Sequence, residues 1–157
     1  MIRIALVEDE AEMRAQLQGY VQRHTRQYGT EFAVTEFADG MELLDDYRPV
    51  YDVLFLDVEM KHLDGMETAR RVRELDKDVI IVFITNMAQY AIGGYAVGAL
   101  DYVLKPVNYY QFCTKLSRAV QRVERRRGGQ VVLQLAGGGM QVLSTNDIYY
   151  LETRDRL

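Results

Sequence analysis

A single cysteine, Cys113, in 157 residues leaves no partner for an internal disulfide. That usage fits a reducing cytosol. No stretch approaches the roughly 18 consecutive apolar residues of a membrane-crossing helix. The opening MIRIALVEDE lacks a basic flank, and its apolar run is too short for a secretory signal. A net charge of −4 gives no global attraction to nucleic acid or to an anionic membrane. No segment repeats. These absences predict a soluble, cytoplasmic chain without a membrane partner. What is present is material for an ordinary core. Hydrophobic residues make up 48 % of the chain, enough for one domain, or one domain and a fragment.

Five apolar strand-like runs alternate with helical patterns. The runs are IRIALV (2–7), FAVTEF (32–37), VLFL (53–56), VIIVFIT (79–85) and LDYVLK (100–105). Helical patterns cover 10–27, 40–47, 67–75, 87–97 and 108–126. In the last of these Leu116, Val120 and Val123 recur at i, i+4, i+7, which makes one face apolar. Central strands without alternation are buried on both faces, as in a parallel sheet covered by helices. FAVTEF alternates more than the others, as an edge strand would. The pattern predicts an α/β fold, a flavodoxin-like doubly wound five-stranded parallel sheet, (βα)5, over residues 1–126.

RRRGGQ (125–130) breaks the pattern with a solvated helix end and a hinge. Residues 127–157 read as a linker and a short β-rich C-terminal fragment. VVLQL and MQVL flank a turn at Gly137–Gly139, and IYYL follows Asn146–Asp147 as a third strand. This segment is too small to bury a core of its own, so it is expected to be the beginning of a larger domain.

In a parallel α/β sheet, chemistry collects at the carboxyl ends of the strands. Glu8, Asp9 and Glu10 follow the first strand there. Asp57 ends the third, Thr85 and Asn86 the fourth, Lys105 and Pro106 the fifth. The first and third strands are neighbours in this topology, so Glu8, Asp9 and Asp57 should cluster. Carboxylates that close repel unless a cation sits among them. A water-accessible all-oxygen set suits Mg²⁺ or Mn²⁺. Lys105 is a second counter-charge, and Thr85 a hydrogen-bond donor. Such a site suits phosphoryl transfer to Asp57, a carboxylate acceptor.

These residues, in this order, resemble the receiver domain of bacterial two-component response regulators. The resemblance rests on LVEDE, LFLDVEM with LDG, FIT and ALDYVLKP, and covers residues 1 to about 125. It implies that Asp57 accepts a phosphoryl group from a sensor histidine kinase. It implies that Glu8, Asp9, Asp57 and the backbone carbonyl of Glu59 bind Mg²⁺, with Glu8 where an aspartate is commoner. Thr85 and Lys105 would grip the phosphoryl group. Tyr102 would be the switch aromatic, and the Lys105–Pro106 bond would be cis. The family's dimer face, formed by the fourth helix, fifth strand and fifth helix, would pair on phosphorylation. NMAQYAIGGYAVGALDYVLKPV and STNDIYYLE further resemble receivers joined to LytTR-type DNA-binding domains, as in the LytR and AlgR regulators. That implies a transcription regulator whose base-reading residues lie outside this chain.

Plainer readings stand beside these. His62 reads as a solvated loop residue, His24 as similar, Cys113 as packing, and the arginine run as a solvated helix end. Two other functions compete. A haloacid-dehalogenase-type phosphatase also forms an aspartyl phosphate, but needs a second Asp two residues on, where this chain has Glu59. A stand-alone phosphorelay or partner-binding receiver would lack the strand-rich tail. The expectation is a phosphoacceptor switch rather than an enzyme.

Overall fold

The computed structural model describes residues 1–86, 95–128 and 130–144. Five strands, β1 (Ile2–Val7), β2 (Phe32–Phe37), β3 (Val53–Asp57), β4 (Ile80–Thr85) and β5 (Asp101–Leu104), form one parallel sheet. Their order is β2-β1-β3-β4-β5. The helices are α1 (Ala11–Tyr28), α2 (Gly40–Asp45), α3 (Gly65–Leu75) and α4 (Tyr109–Arg127), with a 3₁₀ turn at Tyr95–Val97. The expected doubly wound sheet is therefore the observed one. Compactness divides the chain into Met1–Val120 and Gln121–Leu157.

Burial follows the side-chain patterns. All five residues of β3 are buried, whereas β2 stands at the sheet edge with none fully buried. Successive strand residues point to opposite faces. Ala5, Val7, Leu54, Leu56, Ile81 and Phe83 pack on one face with Leu43 of α2 and Val72 of α3. On the other, Phe55 meets Phe112 of α4, whose ring also packs on Tyr20 of α1. Leu116 and Val120 are buried, as the spacing in α4 requires.

Local chemistry sets the helix ends. Asp39 accepts from the Glu42 N–H and caps α2, and Asp64 does the same for α3 through Glu67. That second cap starts α3 at Gly65, two residues earlier than the polar pattern indicated. Gly29, with φ 76°, ends α1 in a left-handed turn.

One expectation is corrected. His24 is not solvated but 2 % exposed. It extends the buried row of Leu17 and Val21 at helical spacing. Its Nε2 is 2.9 Å from Ser117 Oγ, and its ring lies against Tyr28 and Phe32. Burial pulls its pKa below the ordinary 6.5. His62 is exposed and Cys113 buried.

In the second unit β6 (Gln130–Gln134) and β7 (Met140–Ser144) form an antiparallel hairpin. Leu135 N–H bonds to Gly139 O across the turn, where Gly138 has φ 90°. The third strand expected at IYYL and most of the expected 87–97 helix lie outside the described residues.

Candidate functional site

Parallel pairing of β1 with β3 and of β3 with β4 brings three strand ends to one edge of the sheet. Glu8 follows β1 and is fully buried. Its N–H continues the ladder to Phe37 O at 3.1 Å. Its Oε1 accepts from the Glu10 N–H at 3.2 Å, which bends the chain into α1. Asp57 ends β3 at 1 % exposure. Thr85 ends β4, also buried, and its carbonyl accepts from the Lys105 N–H at 2.8 Å. The Lys105–Pro106 bond is cis.

Lys105 joins the two buried acids. Its Nζ is 3.2 Å from Glu8 Oε2 and 3.4 Å from Asp57 Oδ1. Asp57 Oδ1 also accepts from the Glu59 N–H at 3.2 Å. Asp57 Oδ2 is buried with no hydrogen-bond partner, and Glu8 Oε2 meets Lys105 without hydrogen-bond alignment. Buried carboxylate oxygens left this way cost free energy unless a ligand completes them.

The electrostatics agree. Burial, reinforced by the charge of Asp57, lifts the Glu8 pKa to about 7. Burial also raises Asp57, against the opposing pull of Lys105. Burial pulls Lys105 down, but the two carboxylates outweigh it and its pKa lies above the ordinary value. Three carboxylates, Glu8, Asp9 and Asp57, stand against one ammonium. The excess negative charge and the unpartnered Asp57 Oδ2 fit a small divalent cation held by oxygen. Carboxylate oxygens of Glu8, Asp9 and Glu10 lie within 4.8 Å of one another.

Tyr102 on β5 is half-buried at the margin of the core, with Lys115 Nζ 6.0 Å from its ring centre. Its N–H donates to Asp101 Oδ1, whose carboxylate also binds Lys115 and Arg118. Three features were not legible beforehand. Arg14 donates to the Glu8 carbonyl at 2.6 Å. Asn86 Nδ2 donates to Glu59 Oε2 at 3.0 Å, across the ends of β3 and β4. Gly65 lies so close under Asp57 that a Cβ there would overlap the Asp57 carbonyl. The Asp-Gly pair at 64–65 was the one visible signal of that approach.

Residues 4–117 match the response regulator receiver domain, and the chain belongs to that family. It is a family of regulatory switch proteins whose members generally bind Mg²⁺. The sensory transduction protein LytT of Bacillus subtilis is 29 % identical over 99 % of this chain and 66 % of its own length. The transcriptional regulatory protein YpdB of Escherichia coli is 26 % identical over 99 % of this chain and 67 % of its own. The chain thus spans about two thirds of these relatives. Among solved structures, the response regulatory domain of MrkE from Klebsiella pneumoniae has a TM-score of 0.68 at 25 % identity. It covers 79 % of this chain and 99 % of that one. TrrA of Thermotoga maritima, in complex with Mg²⁺–BeF, has a TM-score of 0.63 at 28 % identity, covering 78 % and 99 %. No described helix is long and apolar enough to cross a membrane.

Proposed function

We propose that the chain is a phosphorylation-controlled switch in which Asp57 accepts a phosphoryl group from the phosphohistidine of a sensor kinase. The observation that carries this reading is the state of the Asp57 carboxylate. One oxygen is held by Lys105 and the Glu59 N–H, and the other is buried without a partner. A carboxylate acceptor needs a fixed orientation and an uncommitted lone pair. In the transfer a P–O bond forms at Asp57 while the donor's P–N bond breaks, and the released imidazole keeps the electron pair and is protonated from solvent. Lys105 neutralises charge on the transferring oxygens, and the Thr85 hydroxyl hydrogen-bonds one of them. The carboxylates of Glu8, Asp9 and Asp57 with the Glu59 carbonyl would hold Mg²⁺ or Mn²⁺. When bound, that ion supplies further charge neutralisation for the phosphoryl group.

The output is a population shift. Contact of Thr85 with the phosphoryl group favours an inward Tyr102 and self-association through the face that includes β5 and α4. The chain acts as a switch rather than by turnover, at most assisting its own phosphorylation and dephosphorylation. The likeness to LytT and YpdB over 99 % of the chain supports a cytoplasmic, LytTR-type transcription regulator as the parent. Its DNA contacts belong to the part of those relatives that this chain does not reach.

Intact mass after incubation with acetyl phosphate and Mg²⁺ tests the proposal. One phosphoryl adduct, lost in Asp57→Ala and lost without Mg²⁺, is expected. No adduct on the wild-type chain refutes it. Sedimentation with and without beryllofluoride tests self-association, and an unchanged mass rejects that part.

A further inference from the structure

Arg73, in the last turn of α3, is half-buried and spreads one guanidinium over four main-chain carbonyls. Its Nε donates to Val97 O at 2.6 Å, and its Nη1 to Val79 O at 2.7 Å and Asp76 O at 3.3 Å. Its Nη2 reaches Gly98 O at 3.4 Å. One side chain therefore joins the end of α3, the entry to β4 and the turn that leads into β5. The planar fork of five donors allows this, where a lysine offers one compact head.

The acceptors are themselves fixed. Asp76, 7 % exposed, accepts from the N–H groups of Asp78 and Val79 and from the Tyr47 hydroxyl. That shapes the loop presenting the Val79 carbonyl. Val97 is 5 % exposed and belongs to the core cluster with Val72 and Val79.

β5 is the element that depends on this arrangement. It is four residues long and, among the described residues, stands at the sheet edge and pairs only with β4. Its far end is held at the acid site, through Lys105 N–H to Thr85 O. Its near end is held by Leu100 N–H to Ile81 O at 2.8 Å and by the Arg73 contacts to Val97 and Gly98. Gly98 has φ 64° and open space around it, so the turn has no steric stiffness of its own there. Coupling between sites is carried by hydrogen-bond networks and rigid secondary elements, and contacts at both ends make β5 such an element.

We propose that Arg73 is a positioning residue for the switch. It anchors the start of β5, so that a change at the Thr85–Lys105 end reaches Tyr102 instead of dissipating in the 95–98 turn. The proposal rests on the reading of Asp57 as a phosphoacceptor.

Two measurements on Arg73→Gln test it, with Arg73→Lys beside it. The first is hydrogen exchange in the unphosphorylated chain. In Arg73→Gln the peptide covering 99–104 should exchange at least about tenfold faster, while β1 and β3 keep wild-type protection. The second compares two responses, a labelling rate and a shift in self-association. Acetyl phosphate with Mg²⁺ should still label Asp57 within about threefold of the wild-type rate. The beryllofluoride-driven shift in self-association should fall at least about tenfold. Arg73→Lys should lie between the two on both measurements, because it keeps the charge and loses the fork. A residue with a purely structural role would lower Tm without separating labelling from self-association. Wild-type exchange in 99–104, or a wild-type beryllofluoride shift in Arg73→Gln, overturns the proposal. If Arg73→Gln does not fold, Arg73→Lys decides by the same readouts. If the wild-type chain takes no phosphoryl adduct, the functional reading fails, and the exchange experiment alone supports or overturns the anchor.

Discussion

Replacing Gly65 by alanine probes the join between fold and chemistry. Gly65 opens α3 directly beneath Asp57, and its N–H donates to Val58 O at 2.9 Å. An added Cβ would overlap the Asp57 carbonyl oxygen and come within 2.8 Å of Val58 Cα and 2.9 Å of the Asp57 carbonyl carbon. All three are backbone atoms of the buried residues Asp57 and Val58, at and just past the end of β3, so no side chain can swing aside. Ordinary carbon contacts are roughly 3.5–4.0 Å, so the first turn of α3 must back away by about 1 Å. Overpacking of this kind costs about 1–3 kcal/mol, and loss of the Gly65 hydrogen bond adds about 1 kcal/mol. The lower chain entropy of alanine returns roughly 0.4–1 kcal/mol. The net loss is about 1–3.6 kcal/mol, a Tm decrease of roughly 4–14 °C for a unit of this size. The same displacement strains the carbonyl next to the Asp57 carboxylate, the proposed phosphoacceptor. A misplacement of about 1 Å can cost roughly 100-fold in rate, so acetyl-phosphate labelling should slow by at least about tenfold. Gly19 is the control. It lies inside α1 with nothing near its Cβ position, so Gly19→Ala should stabilise by up to about 1 kcal/mol and label normally. Thermal melts and intact-mass time courses decide the matter. A Gly65→Ala protein with wild-type Tm and labelling rate would show the close approach to be irrelevant.

Three further outcomes are expected. Phe112 is fully buried, with ring centres 4.9 Å from Phe55 and 5.8 Å from Tyr20. Phe112→Ala should cost about 3–5 kcal/mol in urea unfolding; a loss under about 1 kcal/mol would contradict that packing. Glu8 has a folded pKa of about 7, above the carboxylate's 4.5, so the folded metal-free chain binds more protons than the unfolded one between those values. Its contribution to stability is full below about pH 4.5 and is lost as pH rises through 7. Glu8→Gln should flatten that part of the Tm profile without Mg²⁺, and an unchanged slope would refute the assignment. Lys105→Met removes the ammonium between two buried acids, so it should lower Tm more at pH 8 than at pH 5, when both acids ionise less. Equal losses at the two pH values would mean that Lys105 does not balance them.

Much of the fold was written in the pattern. VLFL, apolar without alternation, suited a strand covered on both faces, and FAVTEF, alternating, took the edge. Strand–helix alternation then implied which strand ends meet, and so that Glu8, Asp57 and Lys105 would come together. Periodicity also held the answer for His24, since it continues the row of Leu17 and Val21. A histidine there was read by its polarity rather than its position.

What the chain order could not supply were contacts that depend on three-dimensional closeness between residues of unrelated sequence context. Arg73 reaches carbonyls 24 and 25 positions away, and a carbonyl leaves no trace in residue identity. Arg14 binds the Glu8 carbonyl in the same unreadable way. Gly65 looks like any glycine after an aspartate until β3 is laid against it. Periodic burial is a local property, repeated residue by residue, so the sequence by itself determined the layers and the acid edge. Which carboxylate oxygen stays unpartnered, and which main-chain atoms a guanidinium can gather, are fixed by ångström-scale packing that only the assembled tertiary structure decides.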